Sequence, residues 1–453
     1  KEIDPDSPIK FVLLNKTNPE DAFRQRCIEK GISLDPNYLY NDDNIVVTKD
    51  NLGNITSVKT LKEVEEEEAI RKFEADKDLD MFSSGFDERM FKDGINVNLD
   101  GLGRPAQLGE GDDQDGYYMM QSHEVIGRNY EVLESSKIGQ GSFSSVVRAV
   151  HRETNETVAV KVIRNYGNMY SIAEKEAQFL SQIGKADPHG SKFVVRYDCK
   201  FDHKGHLCLV FENLHQNLRS FTKSYKGKVS LSKVQRYTKN LLLSLAQLRQ
   251  LGIIHADIKP DNVLVRKDMT CVKLADLGSA FGIHEIQETP MLGSRWYRSP
   301  DVILGIRYDC AIDMWSLGCT LYELYTGRAL FRGGTNHEMI RLFGETMGDY
   351  PGKLLKFGKF AKEHFQQDGR FKGTSKGPDG NDHLHFEYLK MKEGLKAKLQ
   401  KYRKFQEQNE RRMEAAFIEL LTRMLDLDPA KRVKPDQALR HPFVCGNWGL
   451  DSK

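Results

Sequence analysis

One junction, at residue 252, narrows the possible folds more than any other feature. Val234, Tyr237, Leu241, Leu245, Leu248 and Leu251 recur at three- and four-residue steps, the spacing of one buried helix face, and Gly252 stops the run. Directly behind it stands His255-Ala256-Asp257-Ile258-Lys259-Pro260-Asp261-Asn262. A buried helix therefore delivers a lysine, two acids and an amide to one place. Charged groups are not hidden unpaired in a core, so this run belongs at the wall of a site.

The 453 residues are 39% hydrophobic and 29% charged, enough for a sizeable core in two to four compact units or one two-lobed unit with tails. No apolar run approaches the roughly 20 residues of a membrane span, so no membrane partner is expected. The chain opens at Lys1 and reads as a fragment of a longer one. Seven scattered cysteines without a C-x-x-C pair argue against a disulfide framework or zinc site and for a reducing compartment, cytosol or nucleus. The net charge of +2 conceals two materials: residues 1–128 carry about −12 and residues 129–453 about +14. The basic half shows no aromatic-interleaved patch, so no direct sequence-specific nucleic-acid binding is expected.

Residues 1–128 have only short apolar runs, at 11–14 and 45–47, and at most an acidic helix over 61–73. They read as an acidic, largely disordered arm with possible partner-binding segments. From Tyr130 the texture changes. Strands are expected over 130–138, 145–151 and 157–163, a helix over 169–183, and a hairpin of 193–201 with 206–211 turning at His203-Lys204-Gly205. The rest reads as helical, including 311–326 before Gly327, apart from a polar, glycine-rich stretch at 369–382.

Five clusters carry chemistry, in a fixed order. Gly139-Gln140-Gly141-Ser142-Phe143-Ser144-Ser145-Val146 lies between two expected strands, where glycines let backbone amides press on phosphate oxygens. Taken alone it is a common turn. Val158-Ala159-Val160-Lys161 ends in a lysine that can reach phosphates if an acid holds it; Glu176 is the candidate and Glu174 the rival. In the 255–262 run, Asp257 can accept a proton from an attacking hydroxyl, Lys259 can neutralise a transferred phosphoryl group, and Asn262 can ligate Mg2+. His255 reads as a packed structural histidine. Asp276-Leu277-Gly278 follows an apolar strand and offers a second hard oxygen ligand. Finally, 293–301 reads as a substrate-positioning loop, and Asp313 as a buried acid tying the catalytic backbone.

In this order the clusters resemble the protein-kinase signature set over roughly residues 129–445. Lys259, two places after Asp257, is similar to the serine/threonine branch. Trp296-Tyr297-Arg298 and the insert at about 335–410 resemble the CMGC group. GQGSFSSVVRA, HLCLVFE, HADIKPDN and DMWSLGCTLYELYTG together resemble the family of pre-mRNA processing factor 4 kinases, as do Asp115-Gly116-Tyr117-Tyr118 and the DLDMF stretch upstream. The resemblance implies an α+β, bilobal protein kinase fold: a small antiparallel β lobe over 129–211, a hinge at 212–214 and a larger helical lobe over 215–445. It implies ATP and Mg2+ as cofactors, and Asp257, Lys259, Lys161 and Glu176 as catalytic residues. The nucleotide site would comprise Ile138, Gly139, Gln140, Gly141, Ser142, Phe143, Ser144, Val146, Ala159, Lys161, the gatekeeper Phe211, Glu212, Leu214, Asn262, Leu264 and Asp276, with Asn262 and Asp276 as metal ligands. It further implies a nuclear enzyme that phosphorylates splicing factors during spliceosome assembly and associates with tri-snRNP-containing complexes.

Five departures from that pattern stand out. Ser144 replaces the third glycine, Leu277 the usual phenylalanine, and Asp301 a glutamate expected to pair with Arg432. Ala256 stands where most kinases carry an arginine, and Met291 where the family carries an activation-loop tyrosine. A phosphate clamp is thus missing on both sides, and the segment 276–301 is expected to be held by packing around Met291 and Leu292. Ser144, Ala256 and Met291 point to a rival reading, a pseudokinase serving as a structural component; phosphate transfer to a basic protein separates the two. A second rival, the dual-specificity tyrosine-regulated kinases, shares the loop at 298–301 but has a Tyr-x-Tyr motif missing here.

Overall fold

The computed structural model describes residues 10–13, 45–49, 55–60, 109, 111–141, 143–226, 229–285, 289–376, 382–402 and 407–446. They fall into two units, within Lys1–Phe86 and Asp87–Lys453. In the first, β1 (Lys10–Leu13), β2 (Ile45–Lys49) and β3 (Ile55–Thr60) pair antiparallel in that order. The two short apolar runs of the arm coincide with β1 and β2, where Val12 faces Val47. The acidic helix expected at 61–73 and the rest of the arm up to residue 108 lie outside the described residues.

The second unit opens with a six-stranded antiparallel sheet: β4 (Val125–Ile126), β5 (Tyr130–Gln140), β6 (Ser144–His151), β7 (Thr157–Ile163), β8 (Tyr197–His203) and β9 (His206–Glu212), in the order β4-β5-β6-β7-β9-β8. Alternation decides which face each side chain takes. Val158, Val160 and Val162 of β7 are buried with Val132, Val147, Ala149 and Val210 on one face, leaving Lys161 on the other. There it meets α1 (Met169–Ala186), whose buried stripe is Met169, Ala173, Glu176, Ala177, Leu180 and Ile183. Glu176 sits inside that apolar stripe, so helical periodicity aims it at the sheet and sends Glu174 to the surface.

Residues ahead of 129 also pack against the small lobe, in the cluster that holds Val132 and Val147. Ile126 is fully buried and Tyr118 nearly so. The acids of this stretch, which the sequence placed in the acidic arm, have fixed partners: Asp112 pairs with His206 at 2.7 Å, and Asp113 accepts the backbone N–H of Tyr117 at 2.8 Å.

In the large lobe α2 (Leu218–Ser224), α3 (Leu231–Gln250), α4 (Ala311–Thr326), α5 (Asn336–Met347) and α6 (Gln408–Met424) share one apolar core with parts of the small lobe. Ser230 caps α3 by accepting the Lys233 N–H. Short strands then fix the site. β10 (Gln216–Asn217) pairs with β12 (Val263–Val265), which pairs with β13 (Val272–Leu274); β11 (Ile253–Ile254) pairs with β14 (Phe281–Gly282). The β12–β13 hairpin sets the 255–262 run beside Asp276. One expectation fails: within the polar stretch 369–382 and just beyond it, β15 (Phe371–Lys376) and β16 (Asp382–Glu387) form a hairpin. A single aromatic anchors it, since Phe371 is buried and stacks on His337 at 4.4 Å, too faint a pattern for periodicity to find.

Candidate active site

Helix α3 ends just before the catalytic run, and α4 holds that run from behind. Asp313, on the first turn of α4, is buried and accepts the backbone N–H groups of His255 and Ala256 at 2.9 Å each. Burial raises its carboxyl above the usual range, while the neighbouring His255 and those two amides pull the other way. His255 is fully buried: one ring nitrogen lies 3.0 Å from the Ala275 carbonyl, and the other accepts the Asp257 N–H. It is a structural histidine. The backbone turns through φ +68° at Ala256, a conformation that this doubly bonded peptide imposes.

That turn aims Asp257 into the cleft. Its Oδ2 lies 2.9 Å from Lys259 Nζ and 3.2 Å from Asn262 Nδ2, and its Oδ1 accepts the Ser294 N–H at 3.0 Å. Lys259 also donates to Ser294 Oγ at 2.9 Å. Burial alone would lower the Lys259 pKa, but the Asp257 charge raises it above its ordinary value, so it stays cationic.

Across the cleft, Lys161 Nζ lies 2.9 and 2.8 Å from the two Glu176 oxygens and 2.8 Å from Asp276 Oδ1. Glu176 is the partner; Glu174 instead pairs with Lys200 on the surface. Neighbours crowd Asp276 yet leave 47% of its side chain open. Burial pushes its pKa up, but Lys161 outweighs this and holds it well below the carboxylate range. Glu176 shifts the other way, raised by burial against the pull of Lys161. Leu277 is buried in the core, keeping an apolar anchor behind Asp276. Replacing Glu176 by alanine is expected to cut catalytic efficiency by about a hundredfold or more, because a misplaced Lys161 loses the orientation advantage. Glu174→Ala should change little; steady-state kinetics of both variants decides the register.

The glycine hairpin joins β5 to β6. Ile138, Gly139, Gln140 and Gly141 are exposed along its roof, Phe143 leans on the core and Ser144 is buried at the start of β6. Ser142 lies outside the described residues. Val146 pairs with Lys161, and Ala159 with the buried Phe211. Glu212 follows, bonded to Lys273 at 2.6 Å, with buried Leu214 next and half-buried Leu264 on β12.

Two arginines complete the frame. Asp301 and Arg432 form a pair at 2.9 Å with both side chains fully buried, so the shorter acid does reach. Arg298, 4% exposed, bonds backbone carbonyls of Met291, Leu292 and Gly293 at 2.9, 3.0 and 2.7 Å and Asn336 Oδ1 at 2.6 Å. Asn336 also donates to the Pro290 carbonyl, and Leu292 packs by Ala256 and Phe281. Gly293 crosses the catalytic loop so closely that a Cβ there would lie 2.3 Å from the Ala256 carbonyl oxygen. The segment is thus fastened through its own backbone. Phosphatase treatment of the purified protein is expected to lower initial rates by less than about tenfold, some 1.4 kcal/mol. A larger fall, matched by loss of a Thr289 phosphopeptide, would contradict this.

Sequence reasoning missed Arg219 of α2. Its guanidinium grips Asp261 at 2.8 and 2.7 Å, Glu323 at 2.6 Å and the Tyr297 hydroxyl at 2.8 Å, joining α2, the catalytic run, the 293–301 loop and α4. No local spacing signals a partner 42 residues away.

A strand-rich lobe and a helical lobe that bring a lysine–glutamate pair and an Asp-Lys-Asn cluster to one cleft define a bilobal protein kinase. Comparison with known proteins agrees: the protein kinase domain family matches residues 132–444. Serine/threonine-protein kinase prp4 of Schizosaccharomyces pombe is 40% identical over 73% of this chain and 70% of its own length. Serine/threonine-protein kinase prpf4B of Dictyostelium discoideum is 38% identical over 74% of this chain and 41% of its own. Dual specificity tyrosine-phosphorylation-regulated kinase 4 of Homo sapiens is 36% identical, over 74% and 61%. The chain belongs to the protein kinase family, and it is a serine/threonine protein kinase. It spans less than half the length of the Dictyostelium relative.

Proposed function

We propose that the chain transfers the γ-phosphate of ATP to serine or threonine of splicing factors in the nucleus, in association with tri-snRNP-containing complexes. The observation that carries the chemical part is the double convergence in the cleft: Lys161 on Glu176 and Asp276, and Asp257 on Lys259 and Asn262. The likeness to the Schizosaccharomyces pombe and Dictyostelium relatives, and to the family motifs, supports the splicing part.

The residues present fit Mg2+. Asn262 donates Nδ2 to Asp257, leaving its amide oxygen as a ligand, and Asp276 gives Oδ1 to Lys161 while keeping half its surface open. One carboxylate and one amide oxygen suit an ion that completes its shell with phosphates and water. When bound, the metal neutralises phosphate charge as the phosphoryl group moves. Lys161, fixed by Glu176, orients the nucleotide phosphates. Asp257 holds the attacking hydroxyl and accepts its proton, and Lys259 stabilises the charge on the group in transfer. Ser294, bridged to both, sets the substrate backbone against them. The hinge at 212–214 with Phe211, Ala159, Val146 and Leu264 would frame the base.

Affinity purification of the chain from nuclear extract, followed by incubation with labelled ATP, tests the biological part. The expected result is co-purified tri-snRNP proteins that become labelled on serine or threonine. Recovery without any splicing component would remove that part and leave the kinase.

A further inference from the structure

The segment ahead of the sheet is fixed to the small lobe from several sides. Asp112 and His206 form their 2.7 Å pair with both side chains sealed from water, and the other His206 nitrogen meets the Ile163 carbonyl at 2.8 Å. Asp113 Oδ1 accepts the N–H groups of Asp115 and Tyr117 at 3.0 and 2.8 Å. Asn165 donates its N–H to the Gly116 carbonyl at 2.8 Å. Gly116 has φ +79°, and a Cβ there would lie 2.5 Å from the Asn165 carbonyl oxygen, so the approach requires glycine. The Arg164 guanidinium sits over the rings of Tyr117 and Tyr166, 4.8 and 4.5 Å from their centres. Its backbone N–H meanwhile donates to the Phe143 carbonyl at 2.9 Å.

This strap presents one group to the glycine hairpin. The Tyr117 hydroxyl donates to the Gly141 carbonyl at 2.7 Å, across 24 positions of sequence. The Gly141 N–H in turn donates to the Ser144 carbonyl at 2.9 Å. Because a peptide unit is planar, holding its carbonyl fixes the orientation of the whole unit. In a hairpin built on glycine, such a constraint replaces freedom that the backbone otherwise keeps.

We propose that residues 111–117 are a positioning strap for the nucleotide loop, with Tyr117 as the positioning residue that sets the Gly141 turn before ATP arrives. The proposal rests on the reading that this loop covers ATP. Ordering a loop in advance removes that cost from binding, so the effect falls on ATP affinity rather than on phosphate transfer or protein-substrate binding.

The test compares the full chain with Tyr117→Phe and Tyr118→Phe by initial rates against ATP and against protein substrate. Tyr117→Phe removes one hydroxyl and keeps the ring against Arg164. It should raise the KM for ATP by about three- to tenfold, the worth of one hydrogen bond, with kcat and the protein-substrate KM within about twofold. Tyr118→Phe removes the hydroxyl of the residue just after the strap, which bonds Glu124 and Lys204 away from the glycine hairpin, and should match the unaltered chain. An unchanged KM for ATP in Tyr117→Phe, or an equal rise in Tyr118→Phe, overturns the proposal. Should the unaltered chain bind ATP but transfer no phosphate, the kinase reading falls separately. Calorimetric titration with ATP then decides the strap: weaker binding by Tyr117→Phe upholds it and equal binding overturns it.

Discussion

Replacing Asp257 by asparagine should lower kcat by about 10²- to 10⁴-fold, the range for loss of a positioned acid–base group. The fold and ATP binding should stay near those of the unaltered chain. The carboxylate is fixed by its neighbours: Ser294 N–H on one oxygen, Lys259 and Asn262 on the other. Asparagine keeps the shape and can still accept the Ser294 bond. Its Nδ2, however, would face Lys259 and Asn262, two donors, and could take no proton. The damage is local, because the buried Asp313 continues to hold the backbone of residues 255 and 256. Thermal melting and ATP titration check the fold and binding, and single-turnover rates check the chemistry. Near-normal turnover would take Asp257 out of the proposed mechanism.

Asp276→Asn should be as damaging to transfer but should also weaken nucleotide binding in the presence of Mg2+. This one carboxylate does two things: Oδ1 holds Lys161 at 2.8 Å, and the exposed remainder is a metal ligand in the proposed mechanism. Loss of a metal contact is worth several kcal/mol of transition-state stabilisation, so kcat should fall by two orders of magnitude or more. The Mg2+ concentration giving half-maximal rate should rise as well, which a purely structural aspartate would not cause. Lys161 keeps Glu176, so the ion pair survives in part. Because the folded-state pKa of Asp276 is depressed, its charge and the contacts that need it are present above the usual carboxylate range and are lost only as pH falls well below it. Any acid limb of the rate profile in mildly acidic buffer therefore belongs to another group. Turnover by Asp276→Asn at ordinary Mg2+ would sink the metal assignment.

The parts of this molecule that sequence could reveal are those whose partners lie close along the chain or follow a strict period. The valine alternation of β7 put Lys161 on the inner face, and the register of α1 chose Glu176 once the helix was correctly phased. The buried Asp301–Arg432 pair was legible only through family resemblance, since 131 residues separate its members. Composition did not reveal the partners of the acids within residues 111–128, which pair with His206 or cap turns. The β15–β16 hairpin escaped because glycine and polar residues surround its single buried aromatic. Arg219 escaped for a different reason: it is an arginine on a short helix, and only folding brings Asp261, Glu323 and Tyr297 around it. Arg298 gave no local sign of its partners, and three backbone carbonyls meet it. Burial lowers its pKa to about 9, which still leaves it charged at neutral pH.

The most direct measurement is incubation of the purified chain with γ-labelled ATP, Mg2+ and a basic protein substrate, followed by identification of the labelled amino acids. Label on serine or threonine, absent with Asp257→Asn and persisting after phosphatase treatment of the enzyme, is the predicted result. No label above that variant, or label confined to tyrosine, would contradict the account.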